Sequence, residues 1–305
     1  MRFYDSPSAY DGNECAVMLG KFDGLHLGHR ALLHAMEKEC GGFTKVILSI
    51  EPVTNETKDI FSFAEKQEVC AELGFQAFVR LPFTDDVRSM KPGDFVRDIL
   101  IGSLKAKRIY VGEGFRFGNG RSGDTEFLTK EAGSFGASVT VVPPVLYDGI
   151  PVSSTEIRRR ISEGLTDQVS GLLGQPYFIS GNTREGRKLG RVMHFPTLNL
   201  APDTRKLLPP FGVYRTFTEY EGTVYPSVTN VGVNPSVKED GRVSVETHLL
   251  RTPPEDVPYG AFIKVFFAER IRSERKFASI DELSEQIRKD RETVEKMISD
   301  LQPDD

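Results

Sequence analysis

Short apolar runs alternate with amphipathic stretches through the first half of the chain. Ala16-Val17-Met18-Leu19 is an unbroken apolar run of the kind a buried parallel strand shows, and the stretch from Ala31 to Cys40 sets Leu32, Leu33 and Met36 on one helical face. Further on, residues 45–50 read as a strand, 64–73 as a helix, 77–81 as a strand and 92–104 as a helix with Pro92 near its start; 108–111 and 138–142 add two strands. Strands separated by helices predict a doubly wound parallel sheet, because parallel neighbours need crossover connections. The first half is expected to be Rossmann-like α/β.

A short helix from Thr166 to Leu173 ends at Gly174, and Gly174-Gln175-Pro176 breaks the pattern, so the domains are expected over 1–174 and 175–305. Beyond the break strands follow one another at 177–180, 213–220, 223–231, 243–249 and 261–271, with Glu221-Gly222 as a two-residue hairpin turn. This predicts an antiparallel barrel. One helix closes the chain: Ser279 and Glu282 form a capping-box pattern, and Leu283, Ile287, Val294, Met297 and Ile298 give a face to pack on the barrel.

A length of 305 residues suits two domains, and a net charge of -5 supplies no global basic field for nucleic acid. Cys15, Cys40 and Cys70 cannot pair completely and form no Cys-x-x-Cys spacing, which favours a reducing compartment. Residues 1–13 hold no charged-then-apolar leader, and no run approaches the ~20 apolar residues of a membrane helix. A cytoplasmic location without membrane contact is expected. Oligomeric state is left open.

The chemistry concentrates in a few stretches. Gly20-Lys-Phe-Asp-Gly-Leu-His-Leu-Gly-His29 lies between the first apolar run and the first helix, where α/β sheets bind ligands and free helix amides attract anions. His26 and His29 can both face a phosphate there, with Gly28 letting the backbone close in; the alternative is a pair of neutral core histidines. Gly112-Glu-Gly-Phe-Arg-Phe-Gly-Asn-Gly-Arg-Ser-Gly123 opposes helix, which excludes a dinucleotide fingerprint. Arg116, Asn119 and Arg121 on that loop are either phosphate-facing or solvated. Ser153-Ser154-Thr155 opens a helix carrying Arg158, both a hydroxyl cap and a polyphosphate clamp. Gly181 to Lys188 almost spells a P-loop, but Arg187 and Lys188 stand where Lys and Ser or Thr belong. Glu246 sits mid-strand, facing away from Val243 and Val245.

His26-x-Gly28-His29 resembles the signature of nucleotidylyltransferases. In its fuller form, Gly20-x-Phe22-Asp23-Gly24-x-His26-x-Gly28-His29, it resembles the bacterial bifunctional riboflavin kinase/FAD synthetase family. Phe115-Arg-Phe-Gly118, Ser153-Ser-Thr-x-x-Arg158, Gly186-Arg-x-x-Gly190 with Phe195-Pro-Thr-x-Asn199, and Glu246-x-His248 are similar to that family's stretches, in its order. So are Gly212-Val-Tyr214, Asn230-Val-Gly232, Asn234-Pro-Ser236 and Arg272 to Phe277. The resemblance implies two ATP-dependent steps, riboflavin to FMN and FMN to FAD, with Mg2+. It implies His26 and His29 at the ATP phosphates, backed by Ser154, Thr155 and Arg158, with Gly20, Phe22, Asp23, Gly24, Gly28 and Ser153 around the nucleotide. It further implies Gly186 and Gly190 at the kinase nucleotide and Glu246 as base to the ribityl hydroxyl, with His248 beside it structural. Thr197 and Asn199, two residues apart on an extended segment, offer neutral oxygens to Mg2+ on ATP; an ordinary edge strand is the alternative.

The chain departs from the family pattern at Glu51-Pro52-Val53, where an Asp-Pro-His-Pro-like segment is usual, and at Lys21, Gly114, His194 and Leu198. A riboflavin kinase with an impaired adenylyltransferase half is therefore the nearest alternative. A flavin-binding regulator without turnover and another transferase of the His-x-Gly-His group follow.

Overall fold

The computed structural model describes residues 1–54, 57–185, 197–233, 243–251, 253 and 257–300. The chain divides into two compact units, Met1–Ser154 and Thr155–Asp305.

In the first unit, strands β1 (Arg2–Tyr4), β2 (Cys15–Gly20), β3 (Thr44–Glu51), β4 (Ala77–Pro82), β5 (Ala106–Gly112) and β6 (Ser138–Val142) form one sheet in the order β1-β4-β3-β2-β5-β6. Every neighbouring pair is parallel. The apolar run of β2 lies at the middle, with Ala16, Val17 and Met18 fully buried; burying a side chain the size of Val or Met is worth roughly 1.5–3 kcal/mol. The chain leaves β2 towards β3 on one side and pairs with β5 on the other, so the sheet switches direction at the carboxyl end of β2, where open α/β sheets take ligands. Helices α1 (Leu27–Glu39), α2 (Phe63–Glu72), α3 (Asp85–Ser89) and α5 (Thr125–Ser134) join the strands, and a short β7 (Leu146–Tyr147) and β8 (Ile150–Pro151) form a separate hairpin.

Two details differ from expectation. β1 adds an edge strand too short to leave a period-2 pattern. Residues 92–104 are not one α-helix: a single turn, α4 (Pro92–Asp94), passes into a π-helix, Phe95–Ser103, which buries Phe95, Val96 and Leu100.

Helix α6 (Ser154–Glu163) leads into the second unit, followed by a 3-10 turn and α7 (Val169–Leu173), ended by Gly174 at φ 73°. Then β9 (Tyr177–Arg184), β10 (Leu198–Leu200), β11 (Gly212–Tyr220), β12 (Thr223–Val233), β13 (Val243–Leu249) and β14 (Phe262–Ser273) close a barrel in the order β10-β13-β12-β11-β14-β9. All its pairs are antiparallel. Glu221 (φ 49°) and Gly222 (φ 75°) turn β11 into β12, as the two-residue hairpin requires.

The barrel interior carries a polar ring. Thr216 bonds Ser227 (2.8 Å) and Thr229 (2.7 Å), Thr218 bonds Ser227 (2.9 Å) and Thr247 (3.2 Å), and the Thr229 hydroxyl donates to Thr247 (2.8 Å). All are fully buried. Each hydroxyl has one hydrogen, so the fixed Thr229 to Thr247 bond sets the direction of the whole cycle, in which every member donates once and accepts once. Thr247→Val leaves one buried donor and one buried acceptor unmatched. It is expected to lower stability by about 2 kcal/mol or more in urea unfolding of the whole protein, with Thr247→Ser close to wild type.

Helix α8 (Ile280–Ser299) starts as expected, with the Ser279 hydroxyl accepting from the Glu282 amide at 3.1 Å. Its anchoring is partly polar. Val294 is buried, but so is Asp290, which accepts from both Arg272 Nη2 (2.7 Å) and Arg272 Nε (2.9 Å) of β14.

Candidate active sites

Helix α1 begins at Leu27, earlier than the apolar pattern suggests, so His26 is its N-cap residue and His29 stands in its first turn. One face of the turn therefore carries both rings. They stack 3.7 Å apart at 19°, and Phe22, fully buried, backs His29 edge-on at 5.1 Å. Phe22 thus supports the histidine from the core. Gly28 also makes room for the imidazole: a Cβ there would come within 3.1 Å of His26 Cε1 and Nδ1.

The turn is conformationally costly. Phe22 (φ 49°) and Leu25 (φ 46°) lie in the left-handed region beside Gly24 (φ 86°), and each non-glycine residue there costs roughly 1–2 kcal/mol. Surrounding groups hold it. The Ile60 amide donates to Asp23 Oδ1 at 2.8 Å, and the Ser154 hydroxyl donates to the Asp23 carbonyl at 2.9 Å. Ser154 is also the first residue of α6, the helix carrying Thr155 and Arg158, and Ser153 precedes it.

His26 makes no side-chain cap bond and the first turn of α1 has no acidic residue, so no side chain of that turn offsets the positive end of this 13-residue helix, an environment that suits an anion. Burial pushes His26 down to about 4. Burial first, then the neighbouring His26 and Lys66, hold His29 well below its ordinary value. Both rings are neutral at pH 7 in the free protein.

These shifts have a sign. The unfolded chain protonates His26 near pH 6.5 and the folded chain only near 4, so the unfolded state binds more protons between them. The contribution is intact above pH 6.5 and fades as pH falls towards 4; by pH 5 the loss from His26 alone is about 2 kcal/mol. Urea unfolding at pH 7 and pH 5 checks this. His26→Asn, which also suits an N-cap, is expected to shrink the pH 5 deficit by about that amount.

The glycine-rich loop after β5 is closed on itself, with Phe117 and Gly123 exchanging backbone bonds (3.0 and 3.1 Å). Arg116 pairs with Asp124 at 3.0 Å; Asn119 and Arg121 are exposed at the loop tip.

In the second unit, β10 pairs with β13 so that Asn199 stands directly opposite Glu246, and β12 places Asn230 on Glu246's other side. Cross-strand partners share a face, so the three polar side chains line one row outside the barrel. Val245 and Thr247 point the other way into the buried interior, which leaves Glu246 half-buried on the outer row. The Ser244 hydroxyl donates to Glu246 Oε1 at 3.3 Å. Thr197, exposed, lies just before β10 and two residues before Asn199. His248 is buried. Gly186, Arg187, Lys188, Gly190, His194, Phe195, Pro196 and the stretch Asn234-Pro-Ser236 lie outside the described residues.

Family models match both halves in order: FAD synthetase over residues 9–156 and riboflavin kinase over 173–298. Proteins named bifunctional riboflavin kinase/FMN adenylyltransferase are similar throughout. That of Pseudomonas fluorescens is 32% identical over 284 residues, covering 90% of each chain, and that of Escherichia coli K12 is 32% identical over 299 residues, covering 95% of this chain and 94% of its own. The chain belongs to the bifunctional riboflavin kinase/FMN adenylyltransferase family. Its fold is shared with a solved Streptococcus pneumoniae structure described as a macrolide-efflux protein, at a TM-score of 0.82 and 28% identity over 96% of this chain and 98% of that one. No helix among the described residues is long and apolar enough to cross a membrane.

Sequence reasoning missed several neighbours of these sites. Asn230 is visible only through strand register. Glu274 is another: a Cβ on Gly232 would fall within 2.5 Å of its Oε1 and 3.2 Å of Asn230 Nδ2, so this carboxylate borders the Glu246 row. Beneath the histidine turn, the buried Lys66 Nζ donates to Glu51 Oε1 at 2.6 Å. Val53, the departure two residues later, is 54% exposed.

Proposed function

We propose that the chain makes FMN and then FAD. The barrel unit transfers the γ-phosphate of ATP to the terminal ribityl hydroxyl of riboflavin, and the parallel-sheet unit transfers AMP from a second ATP to FMN, releasing pyrophosphate. What carries this is the joint occurrence of both family models, in order, in one chain.

For adenylyl transfer, an FMN phosphate oxygen attacks the α-phosphorus while the bond to the β-phosphate oxygen breaks. His26 and His29 donate to the departing phosphates, and the amino end of α1 adds its partial positive charge; Ser153 and Ser154, at the start of the next helix, hold the triphosphate. No covalent enzyme intermediate is needed. Arg116, Asn119 and Arg121 contact the flavin phosphate, for which Arg116 exchanges its partner Asp124.

For phosphorylation, Glu246 takes the hydroxyl proton as the ribityl oxygen attacks the γ-phosphorus and ADP leaves. The donors beside it, Thr197 and Asn199, are neutral oxygens next to a carboxylate, which suits a hard cation such as Mg2+ held chiefly by phosphate. Bound there, Mg2+ neutralises phosphate charge.

We place the working division at residue 174, so that 1–174 serve adenylyl transfer and 175–305 the kinase; the family models end at 156 and resume at 173, which supports this. The location is cytoplasmic, supported by three free cysteines, two of them buried. Purified protein given riboflavin, excess ATP and Mg2+ is expected to yield FMN, then FAD, with ADP and pyrophosphate; chelation of Mg2+ stops both. If FMN accumulates and none is converted even when added, the apolar Val53 in place of a histidine becomes the explanation and the chain is a kinase with a silent partner.

A further inference from the structure

We propose that the buried Lys66–Glu51 pair is a positioning clamp for adenylyl transfer, holding by the Lys21 carbonyl the left-handed turn that presents His26 and His29. This rests on assigning that turn to the ATP phosphates.

The pair sits in the interior, its side chains 3% and 4% exposed, so neither residue touches substrate. Lys66 Nζ donates to Glu51 Oε1 at 2.6 Å and to the Lys21 carbonyl at 3.1 Å. The Ser49 hydroxyl lies 2.5 Å from the same Glu51 oxygen and 3.3 Å from the same carbonyl. Two elements thus meet at one backbone oxygen at the start of the turn after β2: α2 donates to it through Lys66, and β3 fixes that ammonium through Glu51, with Ser49 alongside. Immediately beyond it come Phe22 and Leu25 with positive φ, a conformation that persists only where its surroundings over-determine it. An apolar pair of similar volume would pack α2 on the sheet as well or better, because two buried charges lose their hydration. It would not hold a carbonyl. Lys66 also adds, after burial and His26, to what disfavours protonation of His29.

The double variant Lys66→Met/Glu51→Leu separates packing from positioning. Its thermal transition is expected within a few degrees of wild type and its riboflavin phosphorylation within twofold, because that site lies in the other unit. kcat for FAD formation from FMN is expected to fall at least 30-fold, with KM for FMN changing less than threefold. Ser49→Ala, which keeps the ion pair and removes the hydroxyl that fixes the Glu51 carboxylate beneath the carbonyl, is expected to lose five- to tenfold in kcat. If the double variant folds and its kcat stays within threefold of wild type, the clamp is overturned; should it not fold, an unchanged kcat in Ser49→Ala does the same. Wild-type protein that makes FMN but no FAD overturns the adenylyl-transfer assignment itself, and the clamp's catalytic purpose with it.

Discussion

His29→Ala is expected to stop FAD formation while FMN still accumulates. The ring is held by stacking rather than by hydrogen bonds: His26 lies 3.7 Å above it, Phe22 meets its edge, and Nδ1 is buried without a hydrogen-bond partner among the described residues. A buried N–H without an acceptor is worse than a bare acceptor nitrogen, so the neutral ring keeps its hydrogen on Nε2. On the proposed assignment, that N–H is the donor offered to the triphosphate. As negative charge gathers on departing pyrophosphate, the donor strengthens, and a bound polyanion draws the depressed imidazole back towards protonation. Loss of such a group typically costs roughly 10²–10⁴-fold in rate. Initial rates of FAD formation from FMN and ATP should fall by that order, with riboflavin phosphorylation in the same sample within twofold. His29→Gln, which keeps an N–H donor but cannot be protonated, is expected to fall between the two. FAD formation by His29→Ala at the wild-type rate would sink the assignment of this turn.

What the sequence reveals here depends on how local the cause is. The apolar run before Gly20 and the alternation of strands and helices announce the parallel sheet, because burial on both faces leaves no polar positions. The histidine turn is legible for the same reason, its glycines and imidazoles being adjacent in the chain. Lys66 is not. Glu65-Lys66-Gln67-Glu68 reads as a solvated helix face, yet Glu65 and Lys66 are 1% and 3% exposed. Glu65 closes a capping box with Ser62, and Lys66 reaches under a turn from another strand. The Ser-x-x-Glu spacing at 62–65 was a usable signal for the first; nothing local signals the second. In the barrel, alternation correctly turns Glu246 away from the valines, but only the closure of β10 onto β13 brings it to Asn199, some 50 residues away in sequence. The hydroxyl ring is invisible for the same reason, since each threonine alone is an ordinary strand residue. Asp290 shows the limit of reading a helix by its apolar stripe: the bidentate partner of Arg272 occupies a buried position on the face that Val294 shares.

Glu246→Gln is expected to give the mirror image, abolishing FMN formation from riboflavin and leaving adenylylation of added FMN within twofold. The substitution keeps volume and hydrogen-bonding capacity, so Ser244 retains an oxygen acceptor and the β10-β13-β12 ladder is undisturbed. What it removes is basicity. A ribityl hydroxyl is a weak nucleophile until its proton has somewhere to go, and the proposed acceptor is the half-buried carboxylate that the register sets between Asn199 and Asn230. The expected loss is roughly 10²–10⁴-fold in kcat with KM for riboflavin little changed, because the group acts on the transferring proton and not on the flavin ring. Glu274 sharpens the test. Its carboxylate borders the same row over Gly232, so a base misassigned by one strand would leave Glu246→Gln active and Glu274→Gln inactive. With Glu246 as base, Glu274→Gln retains most of its activity. Gly232→Ala, whose Cβ must displace the Glu274 carboxylate, then costs no more than Glu274→Gln does.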